Sequence, residues 1–135
     1  MLEHFEQPDG LGPVNGYSHA VAAPGGLIAV SGQLPVDRKG TIVDTSDALV
    51  QARQVFTNLD RALRAAGAGP QDVLRLTVFL TDLEDLDAFR TARDEFIDGA
   101  PPPASSLVRV AGLAHPEARI EVDALAMIDV TAGLA

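Results

Sequence analysis

From Arg119 to Ile128 every second residue is apolar. Ile120, Val122, Ala124, Ala126 and Ile128 share one side, and Arg119, Glu121, Asp123, Leu125 and Met127 share the other. Period-two alternation over such a length specifies a β-strand, because successive side chains leave opposite faces of the pleat. A second run, Val73 to Thr81, sets Leu74, Leu76, Val78 and Leu80 against Arg75, Thr77, Phe79 and Thr81. Two strands with one wholly apolar side each need a hydrophobic layer laid against them. This is the strongest constraint on the fold.

That layer is supplied by two stretches with helical period. Leu49, Ala52, Phe56, Leu59, Leu63 and Ala66 recur at three- and four-residue steps and make one apolar stripe. The first helix is expected to start close to Thr45 or Ser46, either of which can cap it, with Asp47 in the first turn at the positive end of the dipole. Gly67 is placed to end it. A second helix is expected from about Asp85 to Ile97, with Leu86, Phe89, Ala92 and Phe96 inward. Gly99 and the prolines Pro101 to Pro103 stop it and force an extended entry to the next segment.

Ahead of the helices, His19–Ala23 and Leu27–Ser31 flank Pro24-Gly25-Gly26 and read as a hairpin. Short strands are expected near Thr41 to Val43 and about Ser106 to Val110. Strands, helix, strand, helix and two strands make an α+β layer, with both helices on one face of a mixed sheet. A length of 135 residues suits one domain, 1–135. The other sheet face would carry Phe79, Leu107, Leu125 and Met127, more apolar than a solvated face should be. Another subunit is the expected cover.

The net charge is −9, from 19 acidic and 10 basic residues. Arg61, Arg64 and Arg75 are the only local basic concentration, and Asp60 and Asp72 interrupt it. Phosphate neutralisation needs a basic face, so no nucleic-acid partner is expected. No apolar run approaches the roughly 20 residues that span a bilayer, so no membrane partner is expected either. Met1–Glu6 lacks the basic-then-apolar layout of a signal peptide, and a cytoplasmic location follows as an expectation. With no cysteine there is no disulfide, thiol nucleophile or zinc–thiolate site. His4, His19 and His115 lack ligand spacing, and no phosphate-binding glycine loop occurs; neither metal nor cofactor is expected.

Glu121 and Asp123 are two apart on a strand and share a side, roughly 6.5–7 Å apart. Acids that close can raise one another's pKa, which suits proton transfer. The simpler alternative pairs each with an arginine on a neighbouring strand, Arg109 or Arg119. His19 could act as a base, yet a histidine at a strand start with no acid or nucleophile fixed beside it reads better as structural. Arg90 and Arg93, one turn apart on the second helix, read as surface charge paired with Asp87, Asp94 or Asp98.

Five segments in order resemble the RidA/YjgF family of enamine/imine deaminases. They are Asn15-Gly16-Tyr17-Ser18-His19-Ala20-Val21, Ser31-Gly32-Gln33, Gln51-Ala52-Arg53-Gln54 with Asn58, Thr77-Val78-Phe79-Leu80-Thr81-Asp82, and Ile120-Glu121-Val122-Asp123-Ala124. The resemblance implies a chorismate-mutase-like (ferredoxin-like) subunit, a homotrimer with a barrel of sheets at its centre, and small-molecule pockets between subunits. It implies hydrolysis of a reactive imine or enamine to a keto compound and ammonia. It also implies roles: Glu121 to handle the water, and Tyr17 and Ser31 as pocket wall and polar contact.

Three positions depart from the family pattern. Pro103-Ala104-Ser105-Ser106 stands where the family has P-A-R-S, so Ser105 replaces the arginine that grips the substrate carboxylate. Leu107 replaces a small or polar residue whose backbone carbonyl faces the ligand, and Arg90 stands where asparagine is common. Serine matches the lost guanidinium in neither reach nor charge. Two readings stay open. In one, an imine-hydrolysing enzyme has moved its clamp to Arg90 or dispensed with it. In the other, a non-deaminating trimer binds a small metabolite or acts on another substrate.

Overall fold

The apolar sides of the two alternating runs meet at the centre of a six-stranded sheet. The computed structural model describes residues 1–129; residues 130–135 of the expected 1–135 domain lie outside the described residues. The elements are β1 (Glu3–Phe5), β2 (Ala20–Ala22), β3 (Leu27–Gln33), α1 (Ala48–Ala65), β4 (Val73–Leu80), α2 (Leu86–Ile97), β5 (Ala104–Arg109) and β6 (Ile120–Met127). In space the strands run β1-β2-β3-β6-β4-β5. All neighbours are antiparallel except β4 and β5, which are parallel because α2 carries the chain back between them. This is the expected mixed sheet with two helices over one face.

Ile120, Val122, Ala124 and Ala126 of β6 and Leu76, Val78 and Leu80 of β4 are buried beneath the helices. Ala52, Val55, Phe56, Leu59 and Leu63 of α1 and Phe89 and Ala92 of α2 fill the layer above them. Phe56 packs against Phe89 and Phe96, with ring centroids 6.0 and 5.0 Å apart. The cap of α1 is Asp47, not Thr45 or Ser46. Its carboxylate accepts from the backbone N–H of Leu49 and Val50, and a carboxylate at that position satisfies the first free amides of a helix.

Several local expectations are corrected. Leu74 was expected inward but is 52 % exposed, because β4 bulges between Val73 and Arg75 and leaves it without a partner on β6. Thr41 to Val43 forms no strand of its own; Ile42 makes a single bridge to Val36. β1 had no signal beyond Phe5, since a three-residue edge strand shows too little alternation to read. Of the two C-terminal strands, β6 lies between β3 and β4, and β5 is the far edge.

That placement reverses the reading of β5. Parallel pairing sets Leu107 beside Val78 and Ser105 beside Leu76, both on the helix-covered side. Leu107 packs against the core, and Val108 takes its expected place on the open face. Leu27, Val108, Leu125 and Met127 are all 40 to 46 % exposed, so the open face is apolar as expected, with Val108 in place of Leu107 and Leu27 added. Among the described residues no helix is long and apolar enough to cross a membrane.

Two buried amides on α1 tie the loops to the core. Gln51 donates to the carbonyls of Asp44 and Glu117 and accepts from the backbone N–H of Arg119. Asn58 donates to the carbonyls of Leu34 and Val36. Gln51→Leu would remove the side-chain partner of three backbone groups and leave an apolar side chain in their place. We expect it to lower unfolding free energy by about 2–4 kcal/mol in urea titrations.

Candidate functional site

Where β3 meets β6, the register slips between Val30 and Gln33. Val30 faces Ala124 and Gln33 faces Val122, so Ser31 and Gly32 share the space opposite Asp123. A bulge of this kind redirects side chains at a sheet interior. Here it opens room for one carboxylate. A Cβ on Gly32 would lie 2.5 Å from Oε2 and 2.7 Å from Cδ of Glu121. Only glycine leaves Glu121 its place over the β3 backbone.

A buried network holds the bulge. The Nε2–H of His19 donates to the carbonyl of Gly12 at 2.9 Å, and Gln33 donates its amide to His19 Nδ1 at 3.0 Å and to the carbonyl of Ser31 at 3.1 Å. The Ser31 hydroxyl donates to the carbonyl of Ser18 at 2.6 Å, and the backbone N–H of Ser31 donates to the carbonyl of His19. Both ring nitrogens of His19 are therefore occupied, which is the structural role its sequence context favoured. Tyr17 sits edge-on to the His19 ring at 5.7 Å and is about half exposed. Tyr17, Gly32 and His115 line one cavity of about 240 Å³, backed by His19, Gln33 and Asn58. His115, with its Nδ1 accepting from the backbone N–H of Glu117, had no signal in the sequence beyond being a loop histidine.

Glu121 is half-buried on the open face, across from Phe79. Burial pushes its carboxyl above the usual carboxylate range, and Asp123 on the same side adds to the push. Neither acid has an ion pair among the described residues. The alternative pairing is not seen: Arg119 instead makes a two-point contact with the buried Asp85, at 2.9 and 3.0 Å. A raised, unpaired carboxyl on an apolar face can take a proton from water or return one.

Gly32 is the common neighbour: Tyr17 lines the same cavity, Ser31 precedes it in β3, and the Glu121 carboxylate lies against its backbone, outside the lining of that cavity. Arg90, Ser105 and Leu107 do not join them within one chain. Arg90 is half exposed on α2, 3.6 Å from Asp87, which matches its reading as surface charge. Ser105 opens into a separate cleft on the helix side with Arg93, Pro102 and Pro103. Leu107 is in the core layer. Periodicity could not show this division, because the side that β5 presents depends on its pairing with β4.

Gly32→Ala is expected to displace the Glu121 carboxylate without disturbing the core. A crystal structure of the variant should show a changed Glu121 rotamer, and thermal melting should move by only a few degrees.

The chain matches the family described as endoribonuclease L-PSP over residues 8–128. It is 38 % identical to a RutC family protein of Synechocystis over 86 % of this chain and 88 % of that one. It is 36 % identical to the 2-iminobutanoate/2-iminopropanoate deaminase of Salmonella typhimurium, over 76 % of this chain and 80 % of the relative. The structure of E. coli TdcF with bound serine superposes with a TM-score of 0.84 at 30 % identity, covering 94 % of this chain and 99 % of that one.

Proposed function

Because the chain belongs to the endoribonuclease L-PSP (RidA/YjgF) family, we propose that it is a small-molecule hydrolase that converts an imine or enamine to a keto compound and ammonia. The observation that carries the reading is the Glu121 carboxyl, raised by burial and held over Gly32 with no cationic partner among the described residues. A permanent ion pair there would lock it as an anion; its absence leaves it free to exchange a proton.

The reaction needs one such group. The enamine first takes a proton on carbon and becomes the imine. Water then bonds to the imine carbon while Glu121 accepts one of its protons, and the C=N electron pair moves to nitrogen, which takes a proton from solvent. Glu121 then returns its proton to that nitrogen, and ammonia leaves as the C=O bond forms and the hydroxyl proton passes to solvent. A carboxyl with a raised pKa serves as base in the first half and acid in the second. Tyr17 lines the cavity beside Gly32 and would supply an aromatic wall, and Ser31 precedes that glycine on β3.

Both the family description and the charge bear on the substrate. A chain of net charge −9 repels a polyanion, so a nucleic acid is a poor fit to the site despite that description. The deaminase among the relatives and the serine held by TdcF both favour a small amino-acid-derived ligand. In this reading the open apolar faces of three copies meet at the centre of a homotrimer, and pockets form where one subunit's Glu121 approaches a neighbour's Ser105 cleft.

The test is ammonia release from an imine made in situ by an amino-acid oxidase, with 2-oxo acid measured in parallel. Release well above the rate in water supports the reading. If instead the purified protein binds 2-oxo acids but accelerates nothing, the non-deaminating binder is favoured by the loss of the arginine at Ser105.

A further inference from the structure

The cation that lines the Ser105 cleft is Arg93, one turn beyond Arg90. This cleft, about 500 Å³, runs between the C-terminal turn of α2 and the edge strand β5. The Arg93 guanidinium lies over the Phe89 ring, 5.5 Å from its centroid. Its Nε and Nη2 donate to one oxygen of Asp94, at 3.0 and 2.9 Å. Stacking and ion pair together hold the planar group in one orientation. They use only one edge of the fork. The protons of Nη1 and the second proton of Nη2 have no acceptor among the described residues, and neither does the Ser105 hydroxyl.

An open guanidinium edge, a hydroxyl donor and walls of Leu76, Ile97, Pro102 and Pro103 select a particular chemistry. The fork suits two coplanar oxygens. The walls suit a short apolar tail. Asp94 next to the fork disfavours a dianion such as phosphate. We propose that Arg93 and Ser105 form a carboxylate subsite for a short 2-oxo or 2-imino acid, so that anion recognition comes from helix α2 and not from strand β5.

The assignment rests on the proposed imine hydrolysis only in taking this carboxylate to be the substrate's; binding can be measured without turnover. The probe is 2-oxobutanoate, titrated calorimetrically into the full-length protein. Arg93→Gln should weaken binding roughly tenfold or more. Asp94→Asn frees the fork from its internal competitor and should tighten binding about two- to fivefold. Arg90→Ala should leave it unchanged. Equal binding by wild type and Arg93→Gln overturns the subsite, as does a loss in Arg90→Ala or no binding by the wild type. Should Arg93→Gln fail to fold, Asp94→Asn decides: among the described residues its side chain is hydrogen-bonded only to Arg93, and no tightening overturns the proposal. The two readings fail separately. Ammonia release untouched by Arg93→Gln sinks the subsite and leaves the hydrolase; Arg93-dependent binding with no ammonia release does the reverse.

Discussion

Glu121→Gln should abolish ammonia release, by about 10²- to 10⁴-fold in kcat, while making the protein more stable at neutral pH. The first effect follows from removing the proton carrier. The second follows from the direction of its pKa. Burial first, and Asp123 second, raise the Glu121 carboxyl above its ordinary value. The folded chain therefore binds this proton more tightly than the unfolded chain does. Stability from that source is complete below the ordinary glutamate range and is lost as pH rises through the raised value. A neutral glutamine escapes that loss. Activity that needs the carboxylate should rise across the same window. Asp123→Asn removes the second cause, so its acid limb should move to lower pH while the maximal rate stays near wild type. Melting curves and pH–rate profiles of the three proteins test this. A wild-type rate in Glu121→Gln, or an acid limb that Asp123→Asn leaves in place, would assign the proton transfer elsewhere.

Periodicity made the helices, β4 and β6 legible, because each buries one face and repeats the pattern over enough residues. It could not order the strands. β6 lies between β3 and β4, and that adjacency comes from long-range pairing that no local window contains. β5 shows the consequence. As an edge strand it has exposed residues on both sides, so Ser105 and Leu107 carried no signal for which side they take; pairing of Leu107 with Val78 decides it. The Leu74 error has the same origin, since an inserted bulge residue shifts alternation without altering composition. At the site, the resemblance drew attention to Ser31-Gly32-Gln33 and Glu121. The reason for the glycine is visible only in three dimensions, as the room it leaves for the Glu121 carboxylate. In the sequence Arg93 reads, with Arg90, only as surface charge for a physical reason too: on the helix the two arginines are a turn apart, and only the path of Pro101–Pro103 shows which of them lines a cleft with Ser105.

The largest structural effect is expected from Leu125→Asp. In one chain Glu121 and Ser105 sit on opposite faces of the sheet, so joint action on one ligand needs a second copy. The open face carries Leu27, Val108, Leu125 and Met127, exposed in the isolated chain. Burying a leucine stabilises an assembly by roughly 1.5–3 kcal/mol, and an unpaired carboxylate in its place costs several more. In the proposed homotrimer the penalty would be repeated at each subunit. Wild type should sediment at three times the chain mass of 14.1 kDa, and Leu125→Asp at the mass of one chain. Leu125 lies outside the core, so the variant should keep its circular dichroism and a cooperative unfolding transition. Its ammonia release should nevertheless fall at least 10²-fold with Glu121 intact, since Ser105 would no longer reach the acid. A single-chain wild type, or a monomeric Leu125→Asp with full activity, would mean that one face of one subunit is sufficient for the chemistry.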